Sequence, residues 1–237
     1  RDDISGAAAK TTGLLSYGYQ FTPAWRASAA LGTAYKVPSL NDLYFPYTAY
    51  VGQGNPDLKP ESARNRELAL HYETAEQTAS LTYFDNRIAD LIQWQETPVG
   101  SWFYVPQNVD SAHIIGWSLA YRREFGAWSV HASADWQNPR DASSGSLLTR
   151  RAKRHAVVGV DYVAGAWTVA GEVTATSARY SDTGNRNRMG GYALTNVSAT
   201  YRIDRNVALF ASIKNLFDRR YEEINDYAVA GRTALLG

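Results

Sequence analysis

Cysteine is missing from this chain of 237 residues, so neither a disulfide framework nor a thiolate metal site is available to it. An excess of charge is missing too. The 24 Lys and Arg face 23 Asp and Glu, a net +1 that gives no reason to expect nucleic acid as a partner. No apolar run approaches the ~20 residues of a membrane helix. The opening RDDISGAAAKTTG has no charged segment followed by an apolar core, so no secretory signal is legible there. Either the protein is cytosolic or this sequence starts after a targeting segment, and the organisation of the chain has to decide between the two. A sustained helical period is also lacking. What is present is an aromatic-rich composition, with 16 Tyr, 7 Trp and 7 Phe beside one Met and 18 Gly, which suits strands better than helices.

Period-two alternation recurs along the whole chain. In GAWSVHASADWQNP, Trp128, Val130, Ala132, Ala134 and Trp136 alternate with Ser129, His131, Ser133, Asp135 and Gln137. Similar runs surround Leu15–Phe21, Trp25–Leu31, Leu68–Tyr72, Ile115–Tyr121, Ala156–Tyr162, Trp167–Val173 and Val207–Ile213. About eleven strands result, the last of them RTALLG. Short connections (Thr22-Pro23-Ala24, Ala75-Glu76, Gly126-Ala127, Ala164-Gly165, Asp204-Arg205-Asn206) alternate with long polar ones near 37–62, 95–101, 138–150, 181–190 and 221–231. A soluble sandwich has no reason to gather every long loop at one end, whereas an up-and-down outer-membrane barrel does so by construction.

The aromatics agree. Tyr19, Phe21, Trp25, Tyr72, Tyr121, Phe125, Trp128, Tyr162, Trp167 and Tyr201 sit beside the short turns, and Tyr35, Trp94 and Trp136 lie toward the long loops. Rings at strand ends with small aliphatics between them are what two membrane–water interfaces select. The expected fold is therefore all-β, an antiparallel transmembrane barrel in which the Trp128–Trp136 face meets lipid and the Ser129–Gln137 face a wet lumen. An odd strand count implies that these residues are the C-terminal part of a larger barrel.

Several stretches carry a family resemblance. GTAYKVPSLNDLYFP (32–46) with GNPDLKPE (54–61), YFDNRIADLIQW (83–94) with YVPQNVDSAHIIGWSL (104–119), and IKNLFDRRYEEINDYAVAGR (213–232) resemble the TonB-dependent outer-membrane receptors. SLLTRRAKRH (146–155) and DYAVAGR (226–232) are closest to the vitamin B12 (cobalamin) receptors of that family. The resemblance implies a barrel of about 22 strands plugged by an N-terminal domain, of which residues 1–237 form the C-terminal portion, with plug and early strands absent. It implies a location in the outer membrane of a Gram-negative cell, and active import of a large scarce nutrient driven by TonB. Cobalamin is the favoured ligand. A ferric siderophore, or a passive porin or adhesin barrel, is the alternative. Outer-membrane lipid and lipopolysaccharide are expected partners. No cofactor is expected on this portion; calcium is expected only through early loops outside it.

By residue-wise match, Arg150 and Tyr227 fall where cobalamin receptors contact their ligand. The cationic Arg150 suits amide or phosphate oxygens of a corrinoid, or else lipopolysaccharide phosphates together with Arg151, Lys153 and Arg154. Tyr227, Tyr180, Phe45 and Tyr47 suit the faces and edges of a large planar ligand, with packing inside the loops as the alternative for Phe45 and Tyr47. Strand parity points Arg154 outward. Asp42, Asp57, Asp141, Asp182 and Asp226 match no compact oxygen-ligand loop, so no metal site is expected. Catalysis is not expected either. His131 and Asp135 stand i, i+4 on one strand, about 13 Å apart, too far for a general base and its partner, and neither a G-x-S-x-G nor an H-E-x-x-H motif occurs. Gly13, Gly32, Gly116 and Gly171 fall within strands, where they mark bends or a close approach of the plug.

Overall fold

Alternating sequences of this kind can satisfy their backbone only by pairing with neighbours, and they do so in chain order. The computed structural model of the protein describes residues 11–49 and 51–237. Its elements are β1 (Leu14–Gln20), β2 (Trp25–Lys36), a one-turn helix α1 (Leu40–Tyr44), β3 (Glu61–Glu73), β4 (Gln77–Glu96), β5 (Tyr104–Phe125), β6 (Trp128–Asp141), β7 (Arg154–Ala164), β8 (Trp167–Thr176), β9 (Arg179–Tyr180), β10 (Arg188–Met189), β11 (Tyr192–Arg202), β12 (Ala208–Lys214) and β13 (Thr233–Leu236). Eleven of these strands form one antiparallel meander in the order β1-β2-β3-β4-β5-β6-β7-β8-β11-β12-β13, and β9 pairs with β10 in a separate hairpin. Among the described residues β1 and β13 each have one neighbour, so the sheet is open.

A meander puts alternate connections at opposite ends, and here the five tight turns share one end while the long connections share the other. The two-residue turns need positive φ, which Gly126 (φ 59°) and Gly165 (φ 58°) supply without a Cβ clash. Strand length says how far the sheet extends. Tilted by about 40°, β4 and β5 (20 and 22 residues) rise about 50 Å, well beyond the ~30 Å hydrocarbon layer. Their upper parts stand clear of the membrane at the long-loop end.

The two faces differ as the alternation requires. Trp128, Trp136, Trp117, Leu119, Val158, Val169 and Leu209 are exposed on the outward face. Each such group gains roughly 1.5–3 kcal/mol on leaving water, so this face is stable only under lipid. At the short-turn end, directly opposed pairs build an aromatic ladder: Trp25–Tyr72 at 4.8 Å, Trp128–Tyr162 at 4.5 Å and Trp167–Tyr201 at 4.8 Å between ring centroids. Toward the other end Tyr83 meets Trp117 at 5.1 Å, and Trp117 lies opposite Trp136.

The inward face is mostly polar, and near the long loops it carries a buried apolar cluster in which Leu91, Ala112, Ile114 and Leu148 pack with Phe84 and Ile88. On that face the ring of Phe84 lies over Gly116, where an added Cβ would stand 2.3 Å from the Trp136 carbonyl oxygen and 2.7 Å from Phe84 Cζ. Gly116 is thus a close approach between neighbouring strands of the sheet, rather than the bend or plug contact expected. At Gly32 a Cβ would meet Leu14 at 3.3 Å, and at Gly13 and Gly171 it would meet nothing within 4 Å.

Three local features depart from expectation. Helix α1 breaks the all-strand reading: Ser39 caps it, accepting from Asp42 N (3.1 Å) while Asp42 Oδ2 accepts from Ser39 N (2.9 Å). The β9–β10 hairpin has too few residues for alternation to register. Trp94 does not join an interfacial ring row. Its indole donates to Asp42 Oδ1 (2.9 Å) and its ring meets that of Phe45 in a T-shaped contact at 5.6 Å, so it belongs to the loop assembly.

Candidate functional site

At the long-loop end, five segments converge on one cavity of about 460 Å³, within the range of small-molecule sites. Its walls are the tops of β4 and β5 with their connection (Trp94, Glu96, Trp102, Tyr104), Thr149 and Arg150, the turn Ser181–Asn187, and Ile224–Tyr227; Val51 closes one side.

Arg150 is held there by its neighbours. Leu148, 2% exposed, anchors its segment in the apolar cluster. The Asn185 side chain clasps Leu147, accepting from its N (2.7 Å) and donating to its O (2.9 Å). Arg150 N then donates to the Tyr180 carbonyl (2.7 Å). The result is a left-handed backbone at Arg150, φ 60°, a conformation that costs roughly 1 kcal/mol outside glycine. Trp102 (φ 59°) and Asp226 (φ 62°) line the same cavity in the same strained region. Strain gathered around one concavity is characteristic of functional sites.

The loops at this end are stiffened by local polar bonds, most of them to carboxylates. Asp182 accepts from Arg186 N (3.0 Å) and Asn187 N (2.6 Å). Burial alone would raise its pKa, but these backbone bonds and the Arg186 charge outweigh burial and hold the carboxyl below its usual range. Burial acts the same way on Asp42, and is outweighed by bonds from Ser39 and Trp94 and by the Lys36 charge. Asp141 accepts from Ser143 N and Ser144 N, and Asn55 Oδ1 accepts from Asp57 N. Glu96 accepts from Trp102 N (2.7 Å).

The wall carrying Tyr227 grows from the NLFDRRY stretch. Asn215, 5% exposed with φ 53°, bonds both ways with Arg219: Nδ2 to its O (2.9 Å), and Arg219 N to Oδ1 (2.8 Å). Asp218 Oδ1 accepts from Arg232 N (2.8 Å), drawing the two ends of the loop together. Buried Arg179 reaches across, its Nη2 donating to the Glu222 and Glu223 carbonyls (2.6 and 3.3 Å). Its guanidinium lies 5.4 Å from the Tyr192 ring centroid, and Tyr192 packs on Tyr221 at 4.5 Å.

The five residues singled out from sequence therefore fall into three groups. Arg150 and Tyr227 line the cavity together, and Tyr227 is 69% exposed. Tyr180 stands beneath, holding Arg150 through its carbonyl. Phe45 and Tyr47 pack within the loops, against Trp94 and, at 5.7 Å, Phe103. Trp94, Trp102 and Tyr104 were not foreseen as lining residues; the signal was rings at the long-loop ends.

His131 stands 3.7 Å from Asp161 and 3.9 Å from Glu172, beyond hydrogen-bond reach, while Asp135 accepts from the Ser118 hydroxyl (2.5 Å).

Residues 2–216 match the family described as "TonB dependent receptor-like, beta-barrel". The chain belongs to the TonB-dependent receptors. Members of this family are outer-membrane β-barrel transporters and receptors, not a class of enzymes. Among curated relatives of this receptor chain, the vitamin B12 transporter BtuB of Photobacterium profundum is 31% identical over 236 residues, covering 98% of the chain and 38% of the relative. The vitamin B12 transporter BtuB of Vibrio vulnificus is 32% identical over 222 residues, covering 93% and 35%. The chain thus spans well under half the length of the relatives it matches. Solved receptors share the fold. A copper transporter, OprC, superposes with a TM-score of 0.77 at 22% identity, covering 94% of this chain and 38% of its own. The siderophore receptor PirA from Acinetobacter baumannii superposes at 0.76 with 19% identity, covering 98% and 41%.

Proposed function

We propose that this chain forms part of the barrel wall and outer binding surface of a TonB-dependent importer of vitamin B12 in the outer membrane of a Gram-negative cell. The observation that carries this reading is the shared cavity of Arg150 and Tyr227, a cation and an exposed ring on two separately braced loops. A corrinoid offers both complements: amide and phosphate oxygens for the guanidinium, and a broad apolar macrocycle for Tyr227 and Trp102. The relatedness to two vitamin B12 transporters supports the same ligand. A corrinoid is larger than the cavity, so these residues form one side of a binding cup, and a plug domain outside these 237 residues supplies the rest. Binding comes first; TonB then drives a rearrangement of the plug that opens a path along the polar inner wall. No residue of this chain makes or breaks a bond.

The test is cyanocobalamin binding and limiting-vitamin uptake by the full-length receptor. Arg150→Ala, removing a charge-assisted contact of about 1.5–3 kcal/mol, is expected to weaken binding about tenfold or more, and Tyr227→Ala by a similar factor. Unchanged binding in both variants overturns the assignment. Saturable binding of a ferric siderophore by the wild type, without competition from cyanocobalamin, transfers the site to that ligand.

A further inference from the structure

Above the outward aromatic row, the apolar face of β3–β6 changes character. Two residues beyond Tyr83, Trp117 and Trp136, the register places Arg66 opposite Asp85, Asp85 opposite Ile115 and Ile115 opposite Asn138. Two residues further, Arg64 stands opposite Arg87, Arg87 opposite His113, and His113 opposite Arg140. Four basic side chains thus lie abreast on four consecutive strands. Like charges directly opposed across strands destabilise a sheet, so such a row is stable only beside a source of negative charge. Among the described residues the protein supplies little. Asp85, its side chain 14% exposed, is committed to His113 (3.0 Å) and Arg87 (3.4 Å), while the Arg87 side chain stays 60% exposed. Arg140 donates to Asn138 Oδ1 and to the Gly145 carbonyl, both neutral.

Two grooves give the row a shape. One of about 740 Å³ runs past Arg64, Arg87 and His113, and the small residues Ser62, Ala89 and Ser111 leave it open. The other, about 510 Å³, lies lower on the same strands and is lined by Leu68, Leu70, Leu81, Tyr83 and Trp117. A cationic groove above an apolar one, on a face that lipid must cover, fits an amphiphile better than a soluble anion. Four residues along a tilted strand raise the basic row about 10 Å above the rings, and rings settle at headgroup depth. Three strand spacings separate Arg64 from Arg140 by about 14 Å, more than a single phosphate can span.

We propose that this surface is a docking site for a membrane lipid whose headgroup carries more than one phosphate, held by Arg64, Arg87, His113 and Arg140, with an acyl chain in the groove beneath. The site is separate from the ligand cavity and does not depend on which nutrient the receptor takes.

The experiment is native mass spectrometry of the full-length receptor, purified in detergent and offered diphosphoryl lipid A, monophosphoryl lipid A or phosphatidylglycerol. The wild type is expected to retain the diphosphoryl form preferentially. Removing the charges in R64Q/R87Q/R140Q is expected to weaken retention about 100-fold, at roughly fivefold per arginine. The charge-preserving R64K/R87K/R140K should stay within about fivefold of wild type. Arg123→Gln, an equal loss of charge per site on the outward face near the opposite end, should change nothing. Arg87→Gln alone should lose about fivefold, which keeps the test open should the triple Gln variant fail to fold. Three results overturn the proposal: undiminished diphosphoryl retention in folded Gln variants, an equal loss in Arg123→Gln, or equal retention of the singly phosphorylated lipids by the wild type.

Discussion

Removing the buried guanidinium of Arg179 should free the 215–232 loop while leaving the barrel intact. The side chain is 5% exposed and holds the Glu222 carbonyl at 2.6 Å and the Glu223 carbonyl at 3.3 Å. A hydrogen bond from a charged donor contributes about 1.5–3 kcal/mol, and the contact with Tyr192 adds about 0.5–1. Against these stands Nη1, buried with no protein partner among the described residues, which costs about 1–3 kcal/mol. The net for Arg179→Met is a loss of about 1–3 kcal/mol of docking, or roughly 5- to 150-fold in the local opening equilibrium. Amide hydrogen exchange on the full-length receptor reads this directly. Amides of residues 219–232, including Tyr227 N bonded to the Ile224 carbonyl, should exchange faster by that factor. The paired amides of β11 and β12 should not change. Unaltered loop exchange would show that Asn215 and Asp218 alone hold the loop. Parallel loss of protection in β11–β12 would make Arg179 a global stabiliser and refute the latch.

Other expectations follow from the same geometry. Gly116→Ala puts a Cβ 2.3 Å from a backbone oxygen of β6; it should destabilise the barrel by about 1–3 kcal/mol in denaturant titration, whereas Gly171→Ala, with open space, should be neutral. The pKa of Asp182 is depressed in the folded loop, so its contribution to the 181–187 turn is full above the ordinary carboxylate value of about 4 and fades as pH falls toward the lower folded value. Protection of the Arg186 and Asn187 amides, taken relative to their intrinsic exchange at each pH, should therefore be flat from neutrality to about pH 5 and fall below it, and Asp182→Asn should abolish that dependence. In single-tryptophan versions of the receptor, brominated lipid should quench Trp128 and Trp136, both open on the outward face, and spare Trp94.

The parts of this fold that sequence announces are those governed by one short period. Alternation from Trp128 to Trp136 names both faces because every second side chain of a strand shares a solvent. The turn lengths then dictate the meander, since antiparallel neighbours need only two or three residues between them. Elements too short to show a period escaped: α1, whose Ser39–Asp42 capping pair was the available signal, and the two-residue strands β9 and β10. Trp94 misled because β4 extends beyond the membrane, so a ring near a long loop need not be interfacial.

The candidate site was half legible. Arg150 and Tyr227 were picked out by resemblance, but their meeting depends on an Asn185 clasp and an Arg179 latch that join segments 38 and 43 residues apart. Composition and periodicity determined a two-solvent sheet, its strand order and its aromatic borders, because those follow from local backbone geometry and the partition of side chains between lipid and water. Only the tertiary structure decided which loop residues share a cavity, and that arginines from three strands and a histidine from a fourth stand in one row. Loop contacts and strand register are relations between distant segments, and no local pattern encodes a distance.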